Sequence, residues 1–350
     1  MTRHIAPNLQ HVRQPGLARL VAALATAATC SLSIGVAAAP NTPLPPLREL
    51  NPTEVNAVLG LPKLSTAELK LKVAATTRVT VWDRNLAATR TRTAVQRQMG
   101  SNAAVYSGWP VTTATVLPAG DPGSQLANFK TDGDLAQTWA TMTAAGVPHL
   151  FAWAYGDFQA EATAGWHTTL TLPAGGGTRE VFLRVAVPPL VVSGDTETGG
   201  EHRWRARVRA ELLVNGFPAW TTEATRLRSE YKNGAGVTAE NVTLVQFGRP
   251  LVFATDDEDS STSNDSTSFT LRQLPSAART VHLTLGRHAE GSRLNLAWVL
   301  RGTAWSEPKA LGGNDHRCKW NYVMDRFFCS RASLGLTGSE ADAPEVRYGP

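Results

Sequence analysis

Residues 203–216 read RWRARVRAELLVNG, which puts Arg203, Arg205, Arg207 and Arg209 on every second position. In a strand, alternate side chains share one face at about 6.6 Å spacing. Four guanidiniums so placed make a basic row about 20 Å long. Their forked donors suit carboxylate, sulfate and phosphate oxygens. The intervening Trp204, Ala206, Val208 and Ala210 turn toward a core. Asn215-Gly216 follows as a two-residue hairpin signal, and the next run carries Arg226 and Arg228. Such a turn pairs Val214 with Phe217, Arg205 with Arg226 and Arg203 with Arg228. Like charges directly opposed destabilise a sheet unless something neutralises them. An anionic extracellular polysaccharide or envelope component laid across the row is one neutraliser. Acids on the other flanking strand or in loops are another, and they would leave the row as a solvated face that resists edge aggregation. A one-residue slip in the pairing would exchange the two faces.

A second group is the acidic run DDEDSSTSNDSTS at 256–268. Asp256, Asp257, Asp259 and Asp265, with nearby hydroxyl and amide oxygens, offer the hard ligands of a calcium site. The run lacks the glycine and ligand order of an EF-hand, and a solvated loop between strands accounts for it more simply. It can also fold over the arginine row as a counter-ion. Trp82, Trp153, Trp204 and Trp298 sit in strand patterns and read as core. Trp109, Trp166, Trp220 and Trp305 lie near turns or strand ends, where an exposed ring can stack on a sugar.

Signals for catalysis are sparse. The chain has no GxSxG elbow, HExxH, phosphate loop or dinucleotide fingerprint. His282 and His288 bracket a strand end without a nucleophile beside them. A polysaccharide lyase would need a tyrosine or histidine base among arginines, and a glycosidase two carboxylates from different strands. Neither can be marked by spacing, so an enzyme on a β-sandwich is the alternative to a non-enzymatic binding or structural protein.

The elements that must position these residues are strands. Of 350 residues, 42% are hydrophobic and 18% charged, enough for a sizeable core. Short alternating runs punctuated by glycine and proline point to an all-β chain. The clearest are 180–193, 202–214, 217–229, 242–248, 250–255, 266–274, 280–287 and 292–306. Residues 88–170 are rich in Ala and Thr and weakly periodic. Ahead of the strands, Asn51, Pro52, Glu54 and Gly60 punctuate a short helix with a capping box. The expected fold is a two-sheet antiparallel sandwich of jelly-roll type with a short helical N-terminal lead-in.

Residues 1–38 have Arg3, Arg13 and Arg19, no acid, and then a weakly apolar stretch ending in small residues. This composition predicts a signal peptide cleaved after Ala38, with no transmembrane segment left in the mature chain. Three arginines leave with it, so the formal net charge of +5 falls to +2. A balance that small argues against a general polyanion binder and against specific nucleic-acid recognition. Expected organisation is then 39–75 as proline-rich lead-in and helix, 76–310 as the sandwich, and 311–350 as a tail. Of three cysteines, Cys30 lies in the signal. Cys318 and Cys329 remain as an even pair, expected to form a disulfide in an oxidising compartment.

The order YGDFQAEATAGWHTTLTLPAG, FLRVAVPPLVVSG, RARVRAELLVNG and FTLRQLP…TVHLTLGRHAEGSRLNLAWVLRG resembles that of secreted bacterial β-sandwich proteins of the PEP-CTERM-associated type. The likeness spans about residues 90–307. It implies a secreted protein of exopolysaccharide-producing envelopes, most of whose members have no assigned activity. The group's Pro-Glu-Pro tail is missing from the final GSEADAPEVRYGP, which favours free secretion over envelope sorting.

Overall fold

A computed structural model of the chain describes residues 47–83, 88–99, 102–109, 136–155, 158–196, 201–231, 237–245, 261–264, 267–276, 279–309, 319–321, 326–328 and 331–350. The strands in chain order are β1 (Arg48–Glu49), β2 (Lys72–Asp83), β3 (Ala88–Met99), β4 (Ala103–Trp109), β5 (Ala136–Met142), β6 (Pro148–Tyr155) and β7 (Phe158–Thr171). Next come β8 (Thr178–Val187), β9 (Leu190–Thr196), β10 (Glu201–Val214), β11 (Phe217–Tyr231), β12 (Val237–Val245), β13 (Ser261–Asn264) and β14 (Thr267–Ser276). The last are β15 (Arg279–Ala289), β16 (Arg293–Lys309), β17 (Lys319–Asn321), β18 (Arg326–Phe328), β19 (Arg331–Thr337) and β20 (Glu345–Gly349).

All pairings are antiparallel, and the strands form four sheets. Two have seven strands: β12-β11-β10-β16-β7-β2-β3, which carries the arginine row, and β13-β14-β9-β19-β6-β5-β4, which faces it. A small sheet runs β1-β15-β8-β20, and β17-β18 is a separate hairpin. The fold is therefore all-β and of β-sandwich type, with more sheets than the two expected. β8 continues into β9, β14 into β15 and β19 into β20, so three strand pairs bend from the facing sheet into the small one. Residues 331–349 belong to these sheets: β19 lies between β9 and β6. Two short helices precede β2. The first, Pro52–Leu59, has both arms of the Asn51–Glu54 capping box, and the second, Thr66–Leu69, is one turn capped by Ser65. No helix among the described residues is long and apolar enough to cross a membrane.

Alternation explains the core. On β10, Trp204, Ala206, Val208, Ala210, Leu212 and Val214 are all fully buried, and their neighbours face away. The facing sheet contributes Leu150, Ala152, Ala154, Leu334 and Leu336 to the same cluster, and the small sheet adds Val181, Leu183, Val281 and Leu283. Small residues bring the large sheets close. A Cβ on Gly302 would fall 2.4 Å from the Leu334 side chain, and one on Gly194 would fall 2.0 Å from the Trp204 ring. The facing sheet is also apolar on its other side. There Phe151, Trp153 and Trp139 are buried, with Trp139 and Phe151 stacked at 3.7 Å between ring centres.

One departure from the expected pairing has wide effects. Asn215 and Gly216 both have positive φ, 53° and 86°, as a tight hairpin turn of the type I′ kind requires. Val214 pairs with Phe217 and Leu213 with Pro218, as a two-residue turn dictates. Then the register shifts: Leu212 pairs with Trp220, and Ala219 becomes an extra residue. Pro218 has no N–H to give to a ladder, and a bulge beside it is the usual accommodation. The bulge is used. The Leu47 amide donates to the Ala219 carbonyl at 2.9 Å, and the Trp220 indole donates to Glu49 at 3.0 Å. Glu49 also takes two 2.9 Å hydrogen bonds from Arg279 of β15, so residues 47–50 tie the arginine sheet to the small sheet.

The expected disulfide is corrected. Cys318 and Cys329 lie outside the described residues, and the three cysteines show no pairing at disulfide distance. A bridge needs Cα atoms within about 7 Å, a condition that an even cysteine count does not ensure.

The closeness of the sheets can be tested at Gly194. Gly194→Ala forces the Trp204 ring to move and should cost about 1–3 kcal/mol in urea unfolding. Gly176→Ala, with nothing within 4 Å of its new methyl, should be close to neutral. Equal midpoints for the two variants would show that the ring has room to shift.

Candidate functional face of the arginine sheet

β10 lies between β11 and β16, so each outward arginine has a neighbour on both sides. After the bulge, Arg205 stands opposite Leu227, Arg207 opposite Thr225 and Arg209 opposite Glu223. The expected Arg205–Arg226 and Arg203–Arg228 oppositions are thus corrected. Arg203 pairs with Ser229, and Arg228 takes the position opposite Trp204. Arg226 pairs with Ala206 and is 2% exposed, inside the sandwich rather than on the row. The single extra residue exchanged the faces of β11 beyond the bulge.

The acid brought under the row is Glu223, whose side chain is only 8% exposed. Arg207 Nη2 lies 2.5 Å from its Oε2, and Arg209 Nη1 lies 4.0 Å from the same oxygen. Arg209 also donates to Glu211 at 3.3 Å. Desolvated carboxylates are costly unless paired, so two guanidiniums around Glu223 stabilise it and are themselves partly neutralised.

Like-charge opposition does occur, but with the other flanking strand. Arg209 and Arg301 of β16 are direct partners across the ladder. Both bury Nε without a hydrogen-bond partner among the described residues. The acid nearest Arg301 is Glu161 of β7, at 3.7 Å. Arg78 of β2 pairs with Glu161 on that strand's far side. The central rungs therefore gather Arg78, Arg207, Arg209 and Arg301 with Glu161, Glu211 and Glu223, while Arg205 stands one rung further along, with Glu240 of β12 at the margin of its rung.

Arg205 differs from its neighbours. It is exposed, makes no ion pair or hydrogen bond among the described residues, and stands with its guanidinium carbon 4.8 Å from the centre of the Trp305 ring. Gln159 of β7 and Thr80 of β2 continue the same rung.

The other candidate residues are dispersed. Asp256, Asp257, Asp259 and Asp265 fall outside the described residues. Among those described, no group of three His, Cys, Asp or Glu residues could hold a metal ion. Trp153, Trp204 and Trp298 are buried, as are Trp166 and Trp220, which had been open to a surface role. Trp220 stacks on Trp298 at 5.7 Å. Glu223, Arg301 and Glu161 were not singled out from sequence. Arg301 stands on β16, a non-local neighbour of β10, and Glu161 on β7 beyond it, while the bulge hid Glu223.

Three histidines lie in half-buried settings. Burial holds the imidazoles of His149, His167 and His282 below the ordinary value. Lys72 adds to this at His167, and Arg184 and Arg347 add to it at His282, where Glu345 opposes them. His282, Arg184 and Glu345 share one rung of the small sheet. Arg184 donates to the Ala343 carbonyl at 3.0 Å, and Arg347 donates to the carbonyls of Leu59 and Leu61 at 2.7 Å each. His282 thus sits among cations already engaged in holding the chain's last strand.

No protein-family model matches the chain, and neither a curated protein nor a solved structure matches it.

Two outcomes follow from these contacts. Glu223→Gln should leave Arg207 without its ion pair and Arg209 with Glu211 alone, lowering stability by about 1–3 kcal/mol in denaturant unfolding. The same variant should elute from a polyanion column at higher salt than wild type if the face is open to anions, and at equal salt if it is not. Acid should also weaken the fold. The unfolded chain protonates its histidines near the ordinary value of 6.5, before the folded chain does. Stability present above that value is therefore lost as pH falls toward the lowered ones. Melting temperature should decline from pH 7.5 toward 5, and His282→Gln should flatten part of the decline.

Proposed function

We propose that the protein is a secreted, non-enzymatic binding or structural protein of the extracellular space or envelope. It contacts an anionic extracellular polysaccharide through the outer face of the arginine sheet. Kinship with the PEP-CTERM-associated sandwiches and their jelly-roll topology belongs to the same proposal.

The observation that carries the reading is the direct opposition of Arg209 and Arg301, on a face that gathers five arginines with Glu161, Glu211 and Glu223. Such a face is destabilised by its own charge and relieved by any polymer that supplies acid groups. The remaining arginine row is mixed in character. Arg207 is a counter-ion to a buried carboxylate and serves the fold, while Arg205 is exposed and has no ion pair among the described residues. A small mature net charge fits a local contact better than a general affinity for polyanions.

The test is binding of the mature chain to neutral and anionic polysaccharides and to DNA at low and moderate salt. Salt-sensitive retention on acidic glycans, with no release of shortened or unsaturated products, is the expected result. Arg205→Ser should reduce it while lowering stability by no more than about 0.5–1 kcal/mol, the worth of its ring contact, since among the described residues Arg205 has no ion pair to lose. Product formation, or equal binding to neutral glycans, would overturn the reading.

A further inference from the structure

The pairing of Arg205 with Trp305 narrows the ligand, given the polysaccharide reading above. Trp305 is half-buried, and a partly open tryptophan on a β-sandwich ordinarily suggests a stacking platform for a neutral sugar ring. Here the arginine occupies that position. Its guanidinium carbon stands 4.8 Å from the ring centre, within the range in which an aromatic face attracts a cation. A sugar would have to displace this contact to reach the same side of the ring.

The contact also changes what Arg205 can do. An exposed arginine loses side-chain freedom when it binds, which opposes binding. Seating the guanidinium on a ring removes part of that freedom in advance. A guanidinium held over the ring by this contact retains N–H donors that can fork onto two oxygens of one acid group. No ion pair or hydrogen bond among the described residues claims those donors. Gln159, in register with Trp305, adds an amide to the rung, and Thr80 beyond it adds a hydroxyl. Guanidinium, amide and hydroxyl groups in one line suit a sugar that bears both an anionic group and free hydroxyls.

We propose that Arg205 is the docking point for the carboxylate or sulfate of an acidic polysaccharide, and that Trp305 is a positioning residue which holds the guanidinium rather than a platform for the sugar.

The experiment compares wild type with Arg205→Lys, Trp305→Leu and Trp305→Phe against polygalacturonate, a sulfated galactan, a neutral glucan and DNA. Thermal melts check that each variant is folded. Lysine keeps the charge but not the planar fork, so Arg205→Lys should weaken binding to acidic glycan about tenfold. Trp305→Leu frees the arginine and should cost a similar factor, while Trp305→Phe keeps a ring and should recover much of it. The galacturonate and galactan arms separate carboxylate from sulfate, and loss in the variants on either supports the assignment. Wild-type affinity for the neutral glucan, lost in Trp305→Leu, would make the ring a sugar platform and overturn it. Tight acidic-glycan binding unchanged in Arg205→Lys would also overturn it, while leaving the broader function standing. Wild-type failure on both acidic glycans, or preference for DNA, would overturn both.

Discussion

Ala219 has no partner on β10, and the electrostatics of the arginine sheet depend on that vacancy in the ladder. Beyond it, every residue of β11 sits one place away from where a plain hairpin would put it. The shift carries Glu223 opposite Arg209 and turns Arg226 inward beside Ala206. Without the bulge the outer face would have set arginine against arginine within a single hairpin. With it, the hairpin partner supplies the acid, and the residual repulsion is moved to the Arg209–Arg301 pair. The same bulge exposes a carbonyl that receives Leu47, and sets Trp220 where its indole reaches Glu49. Register, charge balance and the docking of residues 47–50 are consequences of one inserted residue.

Glu223 shows why the arginines cannot be treated as equivalent. Its carboxylate is almost fully desolvated, and a lone charge there would cost several kcal/mol. Arg207 and Arg209 offset that cost, so they are committed to the sheet before any ligand arrives. Arg205 has no such commitment and is spent on a ring contact worth about 0.5–1 kcal/mol at an exposed site. A binding role is easiest where a residue's removal does least harm to the fold, which singles out the Arg205 end of the row. The repulsion at Arg209 and Arg301 then acts as a background field on the face rather than as a contact in itself.

Much of the fold was legible in the sequence, and the exceptions have physical causes. The β10 alternation, the Asn215-Gly216 turn and the capping box at Asn51 all depend on local chemistry, and each is present. Residues 136–155 resisted reading because the facing sheet buries both sides. Leu150 and Ala152 enter one layer while Phe151 and Trp153 enter another, so the period of two disappears. The bulge left only a weak mark, Pro218 just after the turn. That is a reason to doubt the ladder there, but it does not say by how much the register moves. Arg301 and Glu161 were invisible as members of the site because β16 and β7 lie far from β10 in sequence.

The two-sided burial of the facing sheet bears on the arginine face as well. That sheet packs against β10 and β16 through Gly194 under Trp204 and Gly302 against Leu334, contacts that leave no room for a side chain. A strand held this closely from beneath has little freedom to tilt, and its outward residues keep their spacing. Fixed spacing matters for a charged surface, because a mobile one would relax Arg209 away from Arg301 and lose the concentration of positive charge. The small residues of the core and the charged residues of the surface are therefore linked. The alanines and glycines that make these strands hard to read let the sheets approach closely enough to hold the arginines in opposition.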